Sequence, residues 1–132
     1  MTMCCILKKC SEKGFSTLYT SISDIVSVLL NAPNDEKFSA RKELSMVDFL
    51  CIDEMDNRYY TKSENANDMF AKTFESILRT RLSNKLPILL ATNSPNIKET
   101  FSNFFKDSLD SLMSKITEFP VFGNDFRKIR NV

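Results

Sequence analysis

Two short apolar runs constrain this chain more than any other feature. Val47 to Asp53 and Pro87 to Thr92 are strongly apolar, and each stops on polar residues, the first on Asp53-Glu54 and the second on Asn93. Continuous apolar runs of this length suit strands buried on both faces, which is the signature of a parallel sheet covered by helices. The segments around them carry helical spacing. Residues 1 to about 13 place Met3, Ile6, Leu7 and Cys10 on one face, with Gly14 as a C-cap. A second helix, capped by Ser23 or Asp24, runs through Ile25, Val26, Val28, Leu29 and Leu30. A long amphipathic helix spans about Asn65 to Leu82, with Ala66, Met69, Phe70, Phe74, Ile77 and Leu78 together.

The remaining segments complete the pattern. Phe15 to Thr20 and Glu118 to Phe122 read as strands, and about Asn96 to Phe105 and Ser108 to Ile116 as helices. Asn31 to about Leu44 is polar, contains Pro33 and reads as a loop or irregular helix. Met55 to Glu64 reads as an exposed excursion, and the basic tail Asp125 to Arg130 as the start of a further helix. Strands alternating with helices predict an α/β fold, one layered domain over residues 1–132 with helices on both sheet faces.

Composition narrows the function classes. A net charge of +1 gives no domain-wide field for nucleic acid, so DNA contact requires a local patch or an oligomer. No run approaches the roughly 18 apolar residues of a membrane span, and Met1 to Leu7 is too short for a signal peptide. There is no His, and Cys4, Cys5, Cys10 and Cys51 lack C-x-x-C spacing, which argues against zinc. Small buried thiols in a reducing cytoplasm are the expectation.

In an open parallel sheet, ligands bind at the carboxyl edge of the strands. Asp53 and Glu54 put two carboxylates there. Folds that hydrolyse nucleotides use such a pair, the Asp on Mg²⁺ and the Glu on the attacking water. The bland alternative is a strand ending on acids as it enters a loop. Asn93 ends a second strand of the same kind and reaches the same edge. The complementary element, a phosphate loop of the form G-x-x-x-x-G-K-[ST], is absent from the 132 residues, whose two glycines are Gly14 and Gly123.

These residues carry a resemblance. Phe49 to Glu54 is similar to the Walker B motif of the AAA+ ATPase domain of DnaC/DnaI-type replicative helicase loaders, the phage-encoded ones above all. Ile77-Leu78-Arg79-Thr80-Arg81 followed by Leu86 to Asn93 resembles that family's helix and sensor 1 strand, and Asp125-Phe126-Arg127 resembles the segment bearing the sensor 2 arginine. The resemblance implies a three-layer P-loop NTPase sheet. It implies that Asp53 coordinates Mg²⁺, Glu54 orients the attacking water, Asn93 senses the γ-phosphate and Arg127 reaches the ATP. Arg81 matches a family position without a role, beside its reading as a solvated helix-end cation. A hexameric replicative helicase is the implied partner, with single-stranded DNA and self-association as further expectations.

Two departures shape the functional expectation. The resemblance sets Met1 just after the expected phosphate loop, so the family's first strand and that loop are missing, and the chain reads as the C-terminal portion of a AAA+ core. Ser111 stands where the family carries an arginine finger, with Lys115 the nearest cation. Three functions therefore compete: a helicase-loader-like ATPase of DNA replication, a nucleotide-independent interaction module, and an IstB-type transposition helper. Tyr59 and Tyr60, beside Arg58 and Lys62, form a candidate stacking patch for single strands, against an ordinary exposed loop.

Overall fold

The computed structural model describes residues 2–55, 64–96, 99–100, 111 and 114–121. Its elements run α1 (Thr2–Glu12), β1 (Thr17–Ser21), α2 (Ile22–Asn31), α3 (Asn34–Met46), β2 (Phe49–Asp53), α4 (Glu64–Ser83) and β3 (Ile88–Leu90). The three strands form one parallel sheet in the order β1-β2-β3. The expected α/β architecture with helices on both faces is what the chain adopts.

The faces follow from strand alternation. Leu50 and Ile52 of β2, with Leu18, Ile88 and Leu90 of its neighbours, join a core supplied by α2, α3 and α4. Phe70, Phe74, Ile77 and Leu78 form the buried stripe of α4, and the Phe70 and Phe74 rings stack at 5.4 Å. Cys51, between Leu50 and Ile52, is buried outside that cluster, and α1 packs against β1 and β2. The sheet is covered twice, which is why β2 reads as an unbroken apolar run.

Local chemistry sets the boundaries. The end of α1 is closed by Gly14 at φ +89°, with the Phe15 N–H donating to the Cys10 carbonyl and the Gly14 N–H to that of Ser11. This C-cap consumes Phe15 and delays β1 to Thr17. Ser21, rather than Ser23 or Asp24, caps α2, its Oγ accepting from the Asp24 N–H at 3.2 Å.

Several expectations are corrected. The polar stretch from Asn31, expected as a loop or irregular helix, contains a regular helix, Asn34–Met46. Pro33 sits at its N-cap, and Asp35 and Glu36 in its first turn favour the positive helix end. Its sequence pattern is faint because Leu44 is its one buried residue. Met55, expected in an exposed excursion, is fully buried in the core; residues 56–63 of that excursion lie outside the described residues. The described part of the last expected strand, 118–121, pairs with nothing in the sheet, and Phe119 and Val121 are exposed. Of the helices expected after Asn96, the described residues Glu99, Thr100 and Ser111 are helical while Ser114 and Lys115 form a turn, and the Asn96 side-chain carbonyl accepts from the Glu99 N–H at 3.1 Å.

Arg81 is the largest correction. It is no solvated cation but wholly buried, donating to four backbone carbonyls: Leu44 at 3.0 Å, Val47 at 2.7 Å, Asp48 at 3.2 Å and Pro87 at 2.8 Å. It ties the end of α3, the approach to β2 and the approach to β3 to α4. Burial pulls its pKa down and the Asp48 charge opposes that pull. Asp48 in turn accepts from the Ser16 N–H and Oγ, each at 2.8 Å, which holds its carboxyl below the usual range. These contacts pin the amino edge of the sheet, opposite the acid pair.

Candidate nucleotide-phosphate edge

The site is built where β2 and β3 end together. Past the last ladder pair, the Ala91 N–H donates to the Ile52 carbonyl at 2.9 Å and the Met55 N–H to the Ala91 carbonyl at 3.0 Å. Thr92 Oγ1 then donates to the Met55 carbonyl at 2.6 Å and accepts from the Ser94 N–H at 3.0 Å. The segments carrying Asp53-Glu54 and Asn93 are therefore laced together beyond the sheet. Asp53, Glu54 and Asn93 lie on one carboxyl edge, with Asp53 half-buried and Glu54 and Asn93 exposed. Arg127 falls outside the described residues, as do Tyr59 and Tyr60. Ser111 and Lys115 are exposed.

Two features make this edge more than the end of a strand. Glu54 adopts a left-handed backbone, φ +56°, which a residue with a Cβ takes at a cost and which gathers at functional sites. Asp53 is held on both oxygens: Oδ1 accepts from the Glu54 N–H at 2.7 Å and Oδ2 accepts from the phenol of Tyr19. Tyr19 reaches it because Ser21 pairs with Asp53 in the register, so Tyr19, two residues earlier on the same face, is its diagonal neighbour. That hydrogen bond first, then desolvation and the Asp53 charge, push the Tyr19 phenol up to about 12. Burial, and after it Asp53, raise the Cys51 thiol to about 12, so Cys51 is an inert core thiol. Cys4 and Cys5, expected to be buried, are exposed on α1, and all four cysteines are free.

The donor set bears on which ion suits the edge. Among the described residues no three metal-ligating side chains gather at one point, so the edge is no stand-alone cation cage. It does suit Mg²⁺, which keeps several waters and takes one or two carboxylates together with phosphate oxygens. Asp53 still has lone pairs to offer after its two hydrogen bonds. Sequence reading found the acids and Asn93 but missed Tyr19, because nothing local to Tyr19 predicts which residue the register sets beside it. Among the described residues no helix is long and apolar enough to cross a membrane.

No protein-family model and no curated protein matches the chain. Among solved structures, it is similar to a DNA replication initiation factor, with a TM-score of 0.68 and 15% identity over 94% of this chain and 36% of that one. It is also similar to the replication initiator DnaA bound to AMPPCP and single-stranded DNA, with a TM-score of 0.62 and 17% identity over 82% of this chain and 31% of that one. The chain thus spans about a third of the length of each. At such identity the likeness is one of fold, and the fold is a mixed α/β architecture, a three-stranded parallel sheet flanked by helices.

Proposed function

We propose that this chain is the Walker B- and sensor 1-bearing part of a AAA+ ATPase acting in DNA replication, of the helicase-loader kind. The observation that carries the reading is the convergence of Asp53, Glu54 and Asn93 on one carboxyl edge, formed by adjacent parallel strands laced together at their ends. Asp53 would hold Mg²⁺ through its free lone pairs, and Glu54 would orient and deprotonate the attacking water. Asn93 would donate from its amide to a phosphate oxygen, and Arg127 is assigned to the nucleotide by resemblance. Bound Mg²⁺ supplies charge neutralisation between phosphate oxygens. The structural likeness to replication initiators, one of them bound to AMPPCP and single-stranded DNA, supports a role at replication starts. A hexameric helicase is the partner we assign.

The 132 residues carry these groups without a phosphate cradle of the G-x-x-x-x-G-K-[ST] form, so the expected affinity of this chain for ATP is weak. The test is an NMR titration of the labelled chain with Mg·ATP. We expect no saturation at micromolar ATP, and millimolar shifts confined to Asp53, Glu54, Asn93 and their neighbours, lost in Asp53→Asn. Tight binding indifferent to Asp53→Asn, or shifts centred elsewhere, would overturn the reading. In a protein that joins this chain to a phosphate loop, Glu54→Gln should retain ATP and lose turnover.

That these 132 residues hold no G-x-x-x-x-G-K-[ST] run also fits a second reading of them, a nucleotide-independent module that keeps a partner-binding surface. It predicts helicase binding by this chain that is unchanged in Asp53→Asn and Glu54→Gln. An IstB-type helper would differ only in the partner captured.

A further inference from the structure

Asp53 is the proposed metal ligand of the edge, and it is the last residue of its strand, before a residue in a left-handed turn. A carboxylate there rotates freely about its last torsion unless something holds it, because that torsion has a broad energy well. Its neighbour in the chain supplies one restraint, the Glu54 N–H on Oδ1 at 2.7 Å. The other comes from 34 residues away, from Tyr19 on β1. Tyr19 is 47% exposed, so its hydroxyl is not committed to Asp53 merely to satisfy a buried polar atom. Water could serve a phenol at that surface equally well.

We propose that Tyr19 is a positioning residue for Asp53, fixing the plane of its carboxylate so that the remaining lone pairs face a magnesium–phosphate group at the sheet edge. The inference rests on the function proposed above and extends it to a residue on the neighbouring strand. Its physical basis is that of outer-shell partners of metal ligands generally. A donor on one carboxylate lone pair orients the group, and a charge-assisted O–H···O⁻ bond is strong enough to hold it. Tyr19 touches neither metal nor phosphate. It acts only through Asp53.

The test is Tyr19→Phe, which keeps the ring and removes the donor. Mn²⁺ serves as a paramagnetic probe in the presence of millimolar ATP, and broadening of the backbone amide signals of the full 132-residue chain is followed against Mn²⁺ concentration. In the unmodified chain, broadening should centre on Asp53 and Glu54 and vanish in Asp53→Asn. In Tyr19→Phe it should need about tenfold more Mn²⁺ or beyond. Without any metal, the side-chain carboxyl ¹³C signal of Asp53 should move in Tyr19→Phe while the amide spectrum of the core stays in place. A merely structural tyrosine would move the core and leave the Mn²⁺ dependence alone. Identical Mn²⁺ dependence in the two proteins overturns the role of Tyr19 and leaves the proposed function standing. Broadening in the unmodified chain that is not centred on Asp53 removes the proposed function and this inference with it.

Discussion

Thr92 and Met55 are joined by a 2.6 Å hydrogen bond from the threonine hydroxyl to the methionine carbonyl, just beyond the last paired residues of β3 and β2. The same oxygen accepts from the Ser94 N–H. One side chain thus fixes the path of both segments that carry the candidate chemistry. Thr92→Val keeps the shape and removes both bonds. We expect a loss of about 1 kcal/mol in urea unfolding, together with exchange broadening of the Asn93 and Glu54 amides. Unchanged amides would show that the lacing does not depend on Thr92.

Arg81 holds four carbonyls from three separate segments with one planar group. Lysine carries the charge but has a single nitrogen, which cannot satisfy acceptors spread around a guanidinium fork. Arg81→Lys should therefore destabilise by about 2 kcal/mol, since acceptors are left buried and unpaired. Stability within a few tenths of the original would mean that water enters and replaces the guanidinium.

Asp48 predicts an acid dependence. Its carboxyl is held below the ordinary range by the Ser16 backbone N–H, then by the Ser16 hydroxyl, and Arg81 adds to the effect. A lowered folded pKa contributes stability above the unfolded value and loses it as pH falls through the folded one. The stability gap between the original chain and Asp48→Asn should thus be full at neutral pH and close as pH drops below about 4. Urea midpoints for both proteins across that range check it, and a gap independent of pH would refute it.

Tyr19 predicts the opposite, alkaline dependence in the metal-free protein. A phenol raised to about 12 by its bond to Asp53 stabilises the fold below pH 10 or so, and that contribution is lost as pH climbs from there towards 12. Of the three tyrosines in the chain, one should give a late phenolate step in ultraviolet absorbance. That step should be missing in Tyr19→Phe.

Lys85 sits in a left-handed conformation, φ +55°, where α4 ends. The Leu86 N–H donates to the Arg81 carbonyl and the Lys85 N–H to that of Leu82, the same closure that Gly14 makes for α1. Lys85→Gly should raise stability by about 1 kcal/mol, because glycine takes this conformation without steric cost. A melting temperature that fails to rise would place the unfolded-state entropy of glycine above the relief of strain.

By itself the sequence determined the elements whose signal is local. The unbroken apolar runs ending at Asp53 and Asn93 announced strands buried on both faces, and the periodic apolar face of α4 announced a helix against them. Gly14 marked the end of α1, and the acid pair marked the carboxyl edge of the sheet. Tertiary structure alone decided the rest. Helix α3 buries little but Leu44, so its periodicity is nearly silent. Arg81 and Met55 have a polar or unremarkable sequence setting, yet Arg81 is buried where the end of α3 and the approaches to β2 and β3 meet, and Met55 where the exits of β2 and β3 are bonded together. The bond from Tyr19 to Asp53 exists because parallel pairing sets Ser21 opposite Asp53. Register between strands so far apart in the chain is settled by packing both faces at once, and no window of neighbouring residues contains that information.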